Sequence, residues 1–264
     1  MKLDLTLDLI GSAPPRLIAD LAREKAVDLS RLFKGDGYDL RHGRLAAYDA
    51  AASVVTTPRD VARLADAVLD AGYAELRLTP SPGWADLVAG VAEGAAGRLH
   101  TVIARLPRHL GPEALRPMAL VAAEHGSSLA LTGTAGKVED HAWSLDCAAE
   151  AGLPLILDGT DVTRSPRRIR CATLTDAEAE HLAEIGIGVE LTDWKEAGRL
   201  YDRGVTLALG RGFAAFDPLD LPNRLHDAFD WDDAVFDDLD RKALAVTVCD
   251  DTTRDRLKEM TDAR

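Results

Sequence analysis

Cysteine is scarce in this chain. Its 264 residues include three, Cys147, Cys171 and Cys249, an odd number with no CxxC spacing, which fits reduced thiols and no structural zinc. Long apolar runs are also missing: acids or arginines interrupt each one well short of the ~20 residues a membrane span needs. Bases are outnumbered, 31 against 44 acids, for a formal net charge of −13. That field repels nucleic acid and anionic membranes, so neither is an expected partner. No glycine-rich GxGxxG follows the first candidate strand, where IGSAPP stands instead (10–15), so the dinucleotide-binding sheet has no fingerprint here. The N-terminus alternates where a secretory signal would be continuously apolar, so a cytoplasmic location is expected.

What is present is a repeating pattern. LDLTLDLIGS (3–12) alternates leucines with Asp4, Thr6 and Asp8 before Gly11-Ser12 ends it, a period-two signal for a β-strand. Seven further short apolar or alternating runs follow, at 74–80, 99–106, 127–133, 153–159, 168–174, 188–193 and 205–210. Amphipathic segments lie between them, most opening on Thr, Asp or Pro and closing on Gly, as N-caps and C′ glycines do. Repeated β then α in about 210 residues predicts an eight-stranded parallel (β/α)8 TIM barrel occupying 1–264 as a single domain, with short extra helices at the C-terminus. In such a barrel Leu3, Leu5, Leu7 and Leu9 face the helices and Asp4, Thr6 and Asp8 the lumen. Residues 31–57 are an unusually long connection; within it KGDGYDLRHG is expected to be a flexible partial lid over the mouth, with Phe33 and Tyr38 in it. The acidic run DAFDWDDAVFDDLD (227–240) reads as a solvated helical surface.

At its chemistry-bearing segments the chain resembles the adenosine deaminase branch of the amidohydrolase superfamily. That family opens on acid-Leu-His-x-His-Leu-x-Gly-Ser, which DLTLDLIGS matches at Asp4, Leu5, Leu9, Gly11 and Ser12. AELRLTPSP is similar to its VEVRFSP segment, RLPRH to the Arg-His after its third strand, LALTGTAG to its DLAGxE motif, and GVTLALG to its last strand. The resemblance implies a zinc-dependent deaminase, but the departures fall on the chemistry. Thr6 and Asp8 stand for the two histidines of the first strand. LDGTD replaces the fifth-strand His-Ala-Gly-Glu, so Asp158 or Leu157 takes the histidine position and Thr160 or Asp161 the catalytic glutamate position. Cys171 takes the sixth-strand histidine position, and Gly210-Arg211 the aspartate pair. None of the seven histidines lies at a metal position of the family. Since a catalytic zinc needs three protein ligands, mostly imidazole, and an open site, no metal and no other cofactor is expected.

The candidate chemistry is therefore carried by carboxylates. Asp8, Asp158 and Asp161 are the candidate catalytic residues, with a pKa raised by burial or by a second acid. Thr6, Arg77, Arg108, His109, Cys171, Arg211, Trp84 and Trp194 are candidate substrate-binding residues, with Arg170 as a further lumen arginine. Arg77 is equally placed to pair with Glu75 or another strand's acid, and Cys171 to be a buried, inert thiol. Two functions fit: a metal-independent enzyme acting on a small molecule by acid-base catalysis (isomerisation, cyclisation, elimination or metal-free hydrolysis), or a catalytically silent pseudo-deaminase that binds a ligand or a partner protein. A homo-oligomer is compatible with either.

Overall fold

The computed structural model describes residues 3–262 apart from 70, 71, 82, 134–136, 213 and 217–220. The end of LALTGTAG, Phe213 of LGRGF and the start of the expected C-terminal helical region thus lie outside the described residues. The strands are β1 (Leu3–Asp4), a small antiparallel hairpin of β2 (Phe33–Lys34) and β3 (Gly37–Tyr38), then β4 (Tyr73–Leu78), β5 (Leu99–Pro107), β6 (Ser128–Thr132), β7 (Leu155–Asp158), β8 (Arg168–Cys171) and β9 (Gly188–Leu191). All but the hairpin form one seven-stranded parallel sheet, in the order β1-β4-β5-β6-β7-β8-β9. It curls as a TIM-like barrel does.

The expected eighth strand at 205–210 is not a regular strand. A single bridge joins Val189 to Leu207; the Ala208 N–H donates to the Val189 carbonyl at 2.8 Å, and across the other edge the Leu5 N–H donates to Leu209 at 3.1 Å. Gly210 explains how closely this segment runs beside β1: a Cβ there would collide with the Asp4 carboxylate and the Thr6 hydroxyl.

Helices fill the connections: α1 (Pro15–Glu24), α2 (Arg44–Ala52), α3 (Pro58–Val68), α4 (Trp84–Ala95), α5 (Gly111–Glu124), α6 (Ala142–Glu150), α7 (Asp176–Ile185) and α8 (Ala197–Asp202), then α9 (Leu221–Phe229), α10 (Asp233–Ala243) and α11 (Asp251–Asp262). Local chemistry sets their starts. Thr57 caps α3 and Thr175 caps α7, each in a capping box with the acid three residues on, Asp60 and Glu178; losing such a cap costs about 1 kcal/mol. No helix among the described residues is long and apolar enough to cross a membrane.

Three expectations change. In β1, Leu3 pairs with Tyr73 and Asp4 with Ala74, yet Asp8 pairs with Arg77, so four steps on β1 match three on β4. That one-residue bulge shifts the alternation. Leu3 and Leu5 cluster with Tyr73, Ala208 and the C-terminal Ala243, Leu244 and Cys249, Leu7 and Leu9 join the helix-facing core with Ile18 and Leu21, and Asp4 falls on the Ala74 side, away from Asp8. The 31–57 connection is built rather than loose: the hairpin is pinned by the Tyr38 hydroxyl donating to the Ala13 carbonyl at 2.9 Å and by its ring meeting Phe216 edge-on at 4.4 Å, and α2 follows. Finally, the acidic run is only half solvated, since Trp231 and Leu239 bury one face in the cluster that holds Leu200 and Leu207.

Candidate active site at the barrel mouth

The lumen is built in layers, and the deepest is ionic. Alternation on β4 sends Leu76 and Leu78 to the helix-facing core and Glu75 and Arg77 inward. Arg168 on β8 is ion-paired with Glu75, and its Nε lies 3.1 Å from Glu190 on β9; Glu190 in turn is ion-paired with Arg77. Glu75 also accepts the Val248 N–H at 2.9 Å and the Tyr73 hydroxyl at 3.2 Å. The C-terminal segment closes the floor: Val248 packs on Ile103, Ala130 and Ile156, and the Arg168 guanidinium donates to the Val246 carbonyl at 3.2 Å. Burial opposes ionisation of Glu190, but the pull of Arg77 and Arg168 outweighs it and holds the carboxyl below its usual range. Two acids thus face two arginines in near-complete burial, the pairing that buried charges require.

Above this layer sits Asp8, 1% exposed. One of its carboxylate oxygens accepts the Gly11 N–H at 2.8 Å and the other receives Arg105 of β5 at 3.0 Å. Burial pushes this carboxyl above the usual range, and Arg105, the Gly11 N–H and Arg77 counter the push only in part. Arg105 is held in turn by the Thr132 hydroxyl at 3.3 Å and lies over the Tyr48 ring, 5.6 Å from its centroid. Helix α2 therefore covers this side of the mouth.

Asp158, at the end of β7, is less well served. One oxygen accepts the Gly133 N–H and lies 3.7 Å from Arg170, beyond hydrogen-bond length. Its other oxygen is buried without a partner. Burial raises its pKa, and Arg170 and the Gly133 N–H do not offset the rise. Arg108 is buried in the short turn after β5 with its Nε and one terminal nitrogen unpartnered, as are both ring nitrogens of His141. Burial, then the neighbouring Arg108, lower the His141 pKa, so its ring is neutral at physiological pH.

A cavity of about 250 Å³ opens beside these groups, with Thr6, Arg77, Arg170, Glu190, Trp194 and Arg211 in its wall. Thr6 accepts the Gly212 N–H at 3.1 Å. Arg211 is clamped on Asp4, Nε to carboxylate 2.6 Å, and donates to the Val68 carbonyl at 2.9 Å. Trp194 stands on the wall with Phe229 behind it, centroids 6.4 Å apart.

Four sequence candidates fall elsewhere. Trp84 is fully buried in the helix-facing core because it opens α4 inward, and it does not line the cavity. Cys171 lies out of phase with Arg168 and Arg170 and packs with Ile169 and Val189; burial pushes its thiol up to about 11, so it is inert. His109 is exposed, since the turn directs Arg108 inward and His109 outward. Asp161 caps its own loop, accepting the Thr163 N–H at 2.9 Å and hydroxyl at 2.7 Å, contacts that hold its pKa down. Sequence reasoning in turn missed Arg105, Glu190, Arg168, Tyr48 and His141. The first three were legible, because each shares the inward phase of its strand with a chosen neighbour or partner; Tyr48 and His141 reach the lumen from connections, where no period reports orientation.

Among the described residues no three His, Cys, Asp or Glu side chains gather as a metal-ligand set. Both oxygens of Asp8 are already engaged, and Arg77 and Arg105 put positive charge beside it.

No protein-family model matches the chain. It is 34% identical to the adenine deaminase of Rhizobium leguminosarum bv. trifolii (strain WSM2304) over 240 residues, 80% of this chain and 72% of the relative. It is 30% identical to the adenine deaminase of Rhizobium johnstonii in an alignment spanning 97% of each. Among solved structures, the Arabidopsis N6-mAMP deaminase MAPDA superposes with a TM-score of 0.82 at 18% identity, covering 100% of this chain and 98% of that one, a likeness of fold. By its sequence relatives the chain belongs to the adenine deaminase family of the amidohydrolase superfamily.

Proposed function

We propose that this chain is a metal-independent, amidohydrolase-like enzyme that acts on a small molecule by acid-base catalysis at the barrel mouth, with Asp158 as the proton-transferring carboxyl. The observation that carries the reading is Asp158 itself. It ends a strand at the catalytic face of the fold, its pKa is raised by burial, and one oxygen is left without a partner, features expected of a carboxyl that takes and returns a proton. Asp8, locked by Arg105 and Gly11, serves instead to hold Arg105 over the site.

The relatives are named adenine deaminases, and a hydrolytic reaction on a heterocycle is the reference chemistry. A catalytic zinc does not fit the described donor set: His141 is not joined by two further ligand side chains, Asp8 has both oxygens engaged, and Arg77 and Arg105 put positive charge beside it. Zinc-hydroxide deamination is therefore not proposed. The completeness of the Asp8–Arg105 pairing supports the second reading, a silent barrel that binds a ligand or a partner protein.

The test is elemental analysis of untagged protein, an ultraviolet assay with adenine, and a screen of small metabolites against the wild type and Asp158→Asn. Turnover abolished by that substitution in a metal-free, folded protein supports the enzyme. Stoichiometric zinc with adenine turnover overturns the metal-independent reading, and binding without turnover favours the silent barrel.

A further inference from the structure

The mouth cavity differs from the rest of this acidic chain. Its wall carries Arg44, Arg77, Arg170 and Arg211 against one carboxylate, Glu190, in a protein of formal net charge −13. Arg77 meets Glu190 and Arg211 meets Asp4 in direct ion pairs. Arg170 does not: among the described residues its ionic partner is Asp158 at 3.7 Å, and its side chain is 29% exposed. Arg77, though buried, keeps an unpartnered Nε, and Glu190 an unpartnered oxygen. Buried polar groups of this kind are ordinarily matched, so the cavity presents donors at Arg170 and Arg77 and one acceptor at Glu190, with Trp194, Leu191 and Leu221 as its apolar wall.

From this geometry we infer that the mouth binds a small anion, an aromatic or aliphatic carboxylate or phosphate ester, whose charged group meets Arg170 and whose flat or apolar body lies against Trp194. A planar guanidinium matches two acceptor oxygens of a carboxylate or phosphate at once. A hydroxyl or amine on the same molecule meets the open oxygen of Glu190. At about 250 Å³ the cavity is smaller than the roughly 300–1,000 Å³ that holds a drug-sized ligand, which selects a single-ring or short-chain compound. The inference rests on the reading that the mouth is the substrate site and adds the charge of the substrate.

The test is calorimetric titration of the full chain, at low ionic strength, with benzoate, phenyl phosphate and the neutral benzamide, in the wild type, Arg170→Gln and Trp194→Ala. Benzoate or phenyl phosphate binds at least tenfold tighter than benzamide, and whichever does so identifies the carboxylate or the phosphate arm. Arg170→Gln removes that advantage and leaves benzamide unchanged, while Trp194→Ala weakens all three several-fold. Benzamide binding as tightly as the anions, anion affinity unaltered in Arg170→Gln, or no binding of either anion at millimolar concentration overturns the inference. Anion binding without any turnover refutes the acid-base reading and leaves this one standing; turnover of a neutral compound does the reverse.

Discussion

The lumen contains two ionic layers of similar composition and opposite condition. In the floor, Glu75, Arg168, Glu190 and Arg77 neutralise one another, backed by the carbonyl of Val246 and the N–H of Val248. Both layers keep buried atoms without hydrogen-bond partners, Arg77 Nε, Arg168 Nε and one Glu190 oxygen in the floor and atoms of Asp158, Arg108 and His141 at the mouth, but the floor charges are in direct ion pairs whereas Asp158 and Arg170 stand apart at 3.7 Å. The pKa directions follow: Glu190 is held down by its arginines against burial, whereas at Asp158 burial prevails. Similar residue types therefore neutralise one another in one layer and, in the function proposed above, supply the reactive carboxyl in the other. What separates them is how closely each charge is met by an opposite one, since an unmet buried charge is retained only at a cost.

The largest expected effect lies in the floor. Arg168→Leu leaves Glu75 without its ionic partner and Glu190 with one arginine instead of two, and lowers unfolding free energy by about 3–5 kcal/mol in urea titration; a loss below about 1 kcal/mol would break the distinction between the layers. Next, Asp158→Asn lowers turnover of the true substrate by about 10²-fold or more while the circular dichroism spectrum stays that of the folded wild type.

The two layers also respond to acid with opposite sign. A depressed carboxyl such as Glu190 contributes stability that is present above its unfolded value of 4.5 and lost as pH falls through the folded pKa. A raised one such as Asp158 binds its proton more tightly in the folded state, so stability falls as pH rises from the unfolded value of 3.8 to the folded pKa and then levels off. Stability measured against pH for Glu190→Gln and Asp158→Asn therefore diverges from wild type in opposite directions, and parallel curves would erase the contrast. A smaller effect attends Gly210→Ala: its methyl strikes Asp4 and Thr6, loosening the 205–209 segment from β1 at a cost of about 1–3 kcal/mol. Smallest is His109→Ala, within about 0.5 kcal/mol of wild type and without effect on ligand binding, since the ring is exposed.

Much of this was written in the strands. The alternation of AELRLTP and RIRCATL is consistent with Arg77 and Arg170 facing inward, while Asp158 came from the resemblance of LDGTD to His-Ala-Gly-Glu, which left Leu157 open as the alternative. The period-two rule, applied through the first strand without interruption, misplaced Asp4, because a bulge shows only in the register against β4 and leaves no local mark in LDLTLDL. Cys171 was chosen by alignment to a histidine position, but its phase relative to Arg170 already assigned it to the helix layer. Trp84 begins a helix, where position alone does not say whether a ring faces the mouth or the core.

By itself the sequence determined the parallel βα repeat, the helix caps, the absence of a nucleotide loop and the arrival of carboxylates and arginines at strand ends, because each depends on local periodicity and residue chemistry. Only the tertiary structure decided which charges meet. Arg77 finds Glu190 from 113 residues away and Arg105 finds Asp8 from 97, distances over which no sequence pattern carries information. Closing the sheet brought those strands face to face, and burial then separated the charges that are paired from the few at the mouth that are not.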